Sequence, residues 1–445
     1  MSTLVMQEKD AVAVSNRQRT LAIVASCLGW SLDLFDLFIL LFVAPVIGEL
    51  FFPSTHPTLS LAAVYASFAV TLLMRPIGSA VFGSYADRHG RRGAMIVAVT
   101  GVGISTALFG TLPTIHQVGM LAPVMFLILR LVQGVFVGGV VASTHTIGTE
   151  SVPPHWRGLM SGLIGGGGAG LGALLASIAF LVTSSIFPGE EFAVWGWRVM
   201  FFFGILSAVL GLVVFNTLEE SPLWKQLKEG RDTQTSKGHG VEHAPLKTLF
   251  SSQYRSVLLV NILITFGGGA GYYLTSGYMP TFLKVVNGVP NAAASGILMA
   301  ASVMAIFAAI LVGYISDRIG RKKTFLAVGA LCIVLLPVFY LGMASATDLP
   351  VILAYALGIS FLGNAGYAPV LIFLNERFPT ALRASGTGLS WNIGFALGGM
   401  MPTFVSLASG SVQGIPFSLA VFTAVIFLFY LIGAIVVPET KGRFA

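Results

Sequence analysis

Long apolar runs alternate with short polar connections along almost the whole chain. A helix that spans a membrane needs about 20 mostly apolar residues, and twelve stretches meet that requirement. These stretches cover residues 20–45, 60–84, 93–112, 119–145, 159–185, 197–217, 255–278, 292–315, 323–343, 349–372, 385–407 and 413–437. The pattern predicts an all-α membrane protein with twelve transmembrane helices.

The composition supports this prediction. Hydrophobic residues make up 55% of the 445 positions and charged residues only 10%, too few to cover a water-soluble surface. The 52 glycines favour close packing of membrane helices. The two cysteines, Cys27 and Cys332, fall within predicted spans, so no disulfide is expected.

The distribution of Lys and Arg predicts the orientation. If the N-terminus is inside, the inner segments carry 21 of the 25 Lys and Arg residues, and only Arg75, Arg130, Arg198 and Lys284 remain elsewhere. This bias predicts that both termini are cytoplasmic. The net charge of +7 then reflects topology, and no nucleic-acid partner is expected.

A long polar stretch at 218–254 separates six predicted spans from six. It therefore serves as the boundary between two predicted domains. The predicted organisation is an N-terminal tail at 1–19, a six-helix bundle at 20–217, a cytoplasmic linker at 218–254, a second six-helix bundle at 255–437 and a C-terminal tail at 438–445.

The two halves repeat each other. GSYADRHGRR at 83–92 follows the second span, and GYISDRIGRK at 313–322 follows the eighth, an offset of 230 residues. An E-x-x-P-x-x-x-R motif begins at Glu150 after span four and again at Glu376 after span ten. Two matching repeats indicate duplication. Parallel halves of this kind are typical of transporters that bind substrate near the membrane midplane.

The doubled G-x-x-x-D-R-x-G-R-R/K loops resemble the signature of the major facilitator superfamily. Further segments resemble its organic-acid:proton symporters, namely RPIGSAVFG at 75–83, RLVQGVFVGG at 130–139, WGWR at 195–198, ESPLW at 220–224, GYYLTSGYMPTFL at 271–283, ERFPTALRASGTGLSWNIG at 376–394 and PETKG at 438–442. The resemblance implies a carrier of the plasma (inner) membrane that works by alternating access, functions as a monomer and needs no cofactor.

The repeated loops also suggest a gate. Asp87 and Asp317 lie at predicted helix ends beside Arg and Lys, where a carboxylate can cap a neighbouring helix or pair with a cation. The alternative is that the basic residues only set the topology. The candidate gate residues are Arg75, Asp87, Arg88, Arg91, Arg92, Arg157, Asp317, Arg318, Arg321, Glu376 and Arg383. For Arg75, contact with the substrate is the second possibility.

Two carboxylates interrupt the first span in the segment GWSLDLFDLF at 29–38. Each charge at the centre of a bilayer costs about 3 kcal/mol on insertion scales. Asp33 and Asp36 are three residues apart and therefore share one helix face. Arg75 and Arg130 are the cations that lie deep in spans, so the four charges can cancel.

Asp36 and Arg130 are predicted to lie at similar depths. At 1.5 Å per residue, Asp36 lies roughly 24 Å along the first span and Arg130 roughly 16 Å along the fourth, so the two can meet. In the related sugar–proton symporters an Asp and an Arg at the matching places form a proton-linked pair. The resemblance implies that a substrate carboxylate competes for Arg130 and that Asp36 then takes up a proton. The alternatives are that Asp33 is the main proton site, that Arg130 only modulates Asp36, or that the pairs merely brace helices.

Other polar residues within spans are candidates for binding. Gln133, Asn261, Asn364 and Asn392 can contact the substrate or join helices. Tyr272, Tyr273 and Tyr278 resemble the aromatic gate of other carriers. His145 and Glu150 can relay protons, or His145 can simply bond between helices.

The sequence therefore predicts proton-coupled uptake of a small organic acid, with the lipid bilayer, protons and an organic anion as partners. Proton-driven export and symport of a betaine-like zwitterion or a sugar are the alternatives. An intramembrane enzyme would need a clustered nucleophile and base or metal ligands, and the seven His and two Cys offer no such cluster. One departure from the organic-acid branch is Val140, which follows Gly138-Gly139 where that branch usually has Glu.

Overall fold

The computed structural model describes residues 16–89, 91–150, 156–217, 249–378 and 380–442. Within these ranges the side chains of 16, 18, 19, 80, 83–92, 141–150, 157, 214–217 and 380–385 are not described. The described residues form twelve helical passes, which confirms the predicted fold. They contain no strand.

The passes of the N-terminal half are α1 (Asn16–Phe51), α2 (Pro57–His89), α3 (Arg91–Phe109), α4 (Leu121–Glu150), α5 (157–186) and α6 (192–217). Those of the C-terminal half are α7 (Ser252–Val286), α8 (Asn291–Ile319), α9 (Arg321–Ser345), α10 (Leu349–Arg377), α11 (380–409) and α12 (Ile415–Val436). Helices are expected because each backbone polar group in lipid must be satisfied within its own segment.

Length and composition support a membrane location for these passes. Ten of the described helices are long and apolar enough to cross a bilayer. The apolar part of α3, Gly93–Phe109, is shorter, and α11 is interrupted at Met400. Several observed helix ends differ from the predicted ends of the spans. The first span continues to Phe51, and the seventh continues to Val286 because it contains π-helical turns.

The helix contacts of the N-terminal half recur in the C-terminal half between the helices whose numbers are six higher. In the first half α1 packs on α5, α2 on α4 and α3 on α6. In the second half α7 packs on α11, α8 on α10 and α9 on α12. Between the halves α5 packs on α8, and α11 packs on α2. This pseudo-symmetry is the structural counterpart of the duplicated loop motifs.

The two halves meet at both ends of the bundle. We call the side where α1 begins and α12 ends the terminal side, and the other the far side. On the terminal side the Asp317 carboxylate accepts a hydrogen bond from the Leu159 N–H at 2.9 Å. On the far side the Tyr65 hydroxyl donates to Thr281 at 2.8 Å, and its ring stacks on Tyr278. The space between these contacts is the centre of the protein.

Glycines allow α2 and α4 to approach closely. A Cβ added to Gly78 would collide with the Val135 carbonyl, and one added to Gly138 would collide with the Arg75 carbonyl. Neither obstacle is a flexible side chain, so the crossing depends on residues without a Cβ. This contact fixes the position of α2, and therefore of Arg75, against the rest of the N-terminal half.

Replacing Gly78 with Val should destabilise the protein by about 1–3 kcal/mol, because α2 and α4 must separate. Gly296 in α8 is the matched control, since a Cβ there meets nothing within 4 Å. Thermal unfolding in detergent should therefore begin at a lower temperature for Gly78→Val than for Gly296→Val. Equal unfolding temperatures for the two variants would contradict this account of the crossing.

Candidate functional site

A buried ion pair joins the centres of α1 and α2. Asp33 is the eighteenth of the 36 residues of α1, and Arg75 is the nineteenth of the 33 residues of α2. The Arg75 Nη2 lies 3.5 Å from the Asp33 Oδ2, and the side chains are 6% and 2% exposed. Among the residues that the structure describes, the Asp33 Oδ1 and the Arg75 Nε have no hydrogen-bond partner. The pair is longer than an ordinary charge-assisted hydrogen bond and leaves room for another polar partner.

The predicted contact of Asp36 with Arg130 does not occur in this structure. Their charged groups do not come within the 4.0 Å of an ion pair. Instead the Ser207 hydroxyl of α6 donates to the Asp36 Oδ2 at 3.2 Å, and the Asp36 Oδ1 has no partner. Depth along two helices does not fix which way each side chain is turned.

Arg130 lies in the interior of the N-terminal half. Its Nη1 donates to the Gln133 Oε1 at 2.7 Å, and its guanidinium lies 4.3 Å from the ring centroid of Phe109. Gln133 in turn donates to Thr106 of α3 at 2.8 Å. Aromatic faces stabilise a cation, but the Arg130 Nε and Nη2 remain without partners. Gln133 thus joins helices, the second of the two predicted possibilities.

Aromatic rings from both halves pack together in the interior of the protein. We define the central aromatic cluster as Trp30, Tyr272, Tyr273, Tyr367, Trp391 and Phe395. Its ring centroids lie 3.7–6.1 Å apart along the chain of contacts. The Trp30 Nε1 donates to the Tyr367 hydroxyl at 3.2 Å across the two halves. All three tyrosines of the cluster are close enough to Asp33 and Arg75 for electrostatic interaction.

A cavity opens beside Tyr272. It is small and is bounded by α1, α5, α7, α8 and α10. Two of its lining residues carry buried polar atoms without a partner, the Tyr272 hydroxyl and the Asn364 Oδ1. The Asn364 Nδ2 donates to Ser276 at 3.2 Å, and Ser276 also lines the cavity. These atoms are available to a bound solute.

Charged residues form a network on the terminal side of the C-terminal half. The Arg321 guanidinium lies 2.7 Å from Asp317 and 2.9 Å from Glu376. Because Asp317 also accepts the Leu159 N–H, the network extends to the N-terminal half. The Thr440 hydroxyl donates to Glu376 at 2.7 Å. Arg318 is separate from this network, and its guanidinium lies over the ring of Tyr314.

Glu439, just after α12, holds the beginning of α9. Its carboxylate accepts hydrogen bonds from the Arg321 and Lys322 N–H groups. Burial raises the pKa of the Glu439 carboxyl, but the donating N–H groups of Lys441, Arg321, Lys322 and Thr440 outweigh burial and hold the pKa below its usual range. Gly320, which directly precedes α9, has a φ of 101°, a left-handed conformation that glycine adopts without strain.

The other predicted residues have varied positions. Asn261 accepts a hydrogen bond from Arg377, and Asn392 donates to Ser79 across the halves at 3.4 Å. Tyr278 bonds to Ser406 on the far side, away from the cavity. Several side chains lie outside the described residues, namely His145, Glu150, Asp87, Arg88, Arg91, Arg92, Arg157 and Arg383.

Sequence reasoning missed most of the central aromatic cluster. It placed Asp33, Asp36, Arg75 and Arg130 within spans, but the predicted Asp36–Arg130 contact does not form, because a contact depends on side-chain direction. Trp30, Tyr367, Trp391 and Phe395 gave no signal, since a chain with 33 Phe has aromatic residues in almost every span. Two of the rings, Trp391 and Phe395, fall in the segment ERFPTALRASGTGLSWNIG or directly beyond it.

Two six-helix halves that enclose a buried ion pair and a central cavity define an integral, multi-pass membrane protein with the architecture of a carrier. The chain belongs to the Major Facilitator Superfamily, whose family model matches residues 20–402.

Known proteins of similar sequence are transporters. The chain is 30% identical to the inner membrane metabolite transport protein YhjE of Escherichia coli K12, over 91% of this chain and 90% of that protein. It is 27% identical to the proline/betaine transporter of the same organism, with 98% and 86% covered. It is 28% identical to the α-ketoglutarate permease of that organism, with 92% and 91% covered.

The fold is similar to that of solved carriers. The proton:xylose symporter XylE bound to 6-bromo-6-deoxy-D-glucose superposes with a TM-score of 0.71 at 19% identity, over 96% of this chain and 97% of that chain. At this level of identity the likeness concerns the fold alone.

Removing one member of the Asp33–Arg75 pair should destabilise the protein, because the other charge is left buried without a partner. Arg75→Gln alone should lower the free energy of unfolding by about 3–5 kcal/mol. The double variant Asp33→Asn/Arg75→Gln should recover much of that loss. Thermal unfolding of the two single variants and the double variant in detergent measures the coupling. Additive losses would contradict the pairing.

Proposed function

We propose that this protein is a secondary active transporter that carries a small carboxylate-bearing solute together with protons by alternating access. The observation that supports this most directly is the buried Asp33–Arg75 pair at the middle of α1 and α2. The solutes of two similar transporters support it as well, because α-ketoglutarate and proline both contain carboxylates. XylE, the structural neighbour, is itself a proton symporter.

The charge balance of the site provides the coupling. Without solute, Asp33 and Arg75 neutralise each other. A solute carboxylate that binds Arg75 displaces Asp33, and a buried unpaired carboxylate is costly. One proton taken up by the Asp33–Asp36 pair restores neutrality, and we treat the two acids as one coupled unit. The carrier is then neutral when empty and when loaded with both solute and proton, the two states that can change conformation at low cost.

Asp36 and Arg130 are proposed to act in another state of the cycle. Both belong to the N-terminal half, and each has polar atoms without partners. Phe109, which lies on Arg130, contacts Phe201 of α6, two turns from the Ser207 that bonds Asp36. An ionised Asp36 is therefore proposed to turn from Ser207 toward Arg130 after the proton leaves.

Proteoliposomes with an imposed pH gradient test the function. An inward proton gradient should drive accumulation of one or more members of a panel of mono-, di- and tricarboxylates and zwitterions. The same solute should only equilibrate when an ionophore removes the gradient. If the gradient accelerates uptake of no member of the panel, proton symport is not the mechanism.

Asp36→Asn should separate exchange from accumulation. Because the variant lacks one of the two acids that share the proton, it should exchange labelled solute across the membrane but fail to concentrate it. Asp348→Asn is the matched control, since Asp348 is exposed just before α10. The control should concentrate solute like the native protein. Normal concentration by Asp36→Asn would exclude this role for Asp36.

A zwitterionic solute is the second candidate, and the central aromatic cluster favours it. Aromatic faces bind quaternary ammonium groups, and a fixed pair of opposite charges complements a neutral solute that carries both. Glycine betaine and 3,3-dimethylbutanoate have the same shape but differ by one positive charge. If the carrier is built for zwitterions, glycine betaine should inhibit uptake at a concentration about tenfold lower. Equal inhibition by the two compounds favours an organic acid.

A further inference from the structure

We infer that Tyr340 of α9 is a positioning residue for the closed far side. Its hydroxyl holds a π-helical turn of α7, and this turn directs Tyr278 and Thr281 onto Tyr65 of the other half. Loss of that hydroxyl should favour a form that is open on the far side. The inference rests on the alternating access of the proposed function, but on neither its protons nor its solute.

The π-turn lies where α7 cannot continue as an ordinary α-helix. Pro280 has no N–H to donate, and its ring would clash with the carbonyl of Ser276 one turn earlier. In lipid, backbone groups freed in this way must be satisfied by a local change of helix type or by nearby hydroxyls. The change of helix type is the π-turn Tyr273–Gly277, which ends shortly before the proline.

Two hydroxyls donate to backbone carbonyls in and just before this turn. The Tyr340 hydroxyl donates to the Leu274 carbonyl at 2.6 Å. The Thr275 hydroxyl donates to the carbonyls of Gly271 and Tyr272 at 2.7 and 3.2 Å. Both side chains are buried, so the loss of either hydroxyl leaves a carbonyl that water does not readily satisfy. Of the two, only Tyr340 fastens the turn to another helix.

The π-turn sets the direction of the side chains that follow it. It contains about one residue more than an α-turn, so later side chains are turned by about 100° from their direction in an uninterrupted α-helix. Tyr278 stacks on Tyr65 with ring centroids 5.0 Å apart and an interplanar angle of 20°. Thr281 accepts a hydrogen bond from the Tyr65 hydroxyl at 2.8 Å. An uninterrupted α-helix would turn both residues away from Tyr65.

The far-side end of α7 is also held by α9. The Phe282 ring packs on Tyr340 with centroids 5.6 Å apart, and the Asn287 amide donates to the Met343 carbonyl at 2.8 Å. Among the described residues, Tyr340 makes no hydrogen bond or ring contact with Tyr65. Tyr340 therefore acts on the far-side contact through α7.

Loss of the Tyr340 hydroxyl weakens the closed form more than the open form. When the far side is closed, the contact with Tyr65 requires the π-turn. When the far side is open, α7 is released from Tyr65 and can relax to a geometry in which the Leu274 carbonyl finds another donor. The ratio of open to closed forms should therefore rise about fivefold in Tyr340→Phe, the factor expected from one neutral hydrogen bond.

Distances between spin labels measure this ratio. Cys27 and Cys332 are replaced by Ser, and labels are attached to His116→Cys and Asp348→Cys, two exposed far-side positions in different halves. Double electron–electron resonance on the protein in detergent should show a larger fraction of long distances for Tyr340→Phe than for the same labelled protein with Tyr340. Equal fractions overturn the inference.

Tyr430→Phe is the matched control. The Tyr430 hydroxyl is also buried and donates to the Gly366 carbonyl of α10 at 3.0 Å, but it lies toward the terminal end of α12. The control should keep the distances of the labelled protein with Tyr430. A shift as large as that of Tyr340→Phe would indicate a general loosening of the C-terminal half and would overturn the inference.

A combination with Tyr65→Leu tests the route of the effect. This substitution removes both the ring stack and the bond to Thr281, so it should itself favour the open form. Tyr340→Phe should then add less than about twofold to the ratio, because the contact that Tyr340 positions is already lost. An undiminished effect of Tyr340→Phe in this background would show that Tyr340 acts elsewhere.

Size-exclusion chromatography checks that each variant is folded. If Tyr340→Phe is not, Thr275→Val replaces it, because this change removes the other hydroxyl that donates near the π-turn. The fraction of long distances should again rise, and an unchanged fraction overturns the inference.

The outcomes distinguish this inference from the proposed function. A longer far-side distance in Tyr340→Phe, together with solute uptake that ignores the pH gradient, supports the inference and contradicts proton symport. Gradient-driven accumulation by the native protein, together with an unchanged distance in Tyr340→Phe, supports proton symport and contradicts the inference.

Discussion

Burial of opposite charges in a medium of low dielectric is the constraint on which the centre of this protein depends. Asp33 and Arg75 lie near the midpoints of α1 and α2, where neither charge is stable alone. The Asp33–Arg75 pair is neutral overall, and its polar atoms that lack hydrogen bonds can still accept or donate one. In the proposed cycle, a solute that takes one partner must replace its charge, so binding and protonation are linked by the cost of an unpaired ion rather than by a special geometry.

The architecture connects this buried pair of charges to both halves of the molecule. Arg75 is held where it is by the glycine crossing of α2 and α4, and the tyrosines that face it come from α7 and α10 of the other half. The halves also meet at Asp317 on the terminal side and at Tyr65 on the far side. A change of charge at the centre therefore occurs between these two sets of contacts.

The sequence predicted the larger features well because they depend on properties that can be read along the chain without knowing any contact. Apolar length defined twelve passes, and the repeated loops defined two halves. Side-chain direction is a different kind of information. The choice of Arg75 rather than Arg130 as the partner of an acid in α1 depends on a rotation of α2 and α4 that the crossing at Gly78 and Gly138 sets. Similarly, Tyr272 lines the cavity while Tyr278, beyond the π-helical turn Tyr273–Gly277, does not. Hydrophobic periodicity carries no signal for either event.

The contacts of Glu439 and Thr440 have a consequence for how the chain is assembled during synthesis. These residues follow α12, yet they complete hydrogen bonds to the first turn of α9 and to Glu376 of α10. Translation proceeds from the N-terminus, so α9 and α10 emerge from the ribosome well before the groups that satisfy them. The ionic network of the second half therefore matures only after translation has passed α12, and until then Arg321 and Glu376 must rely on each other or on water.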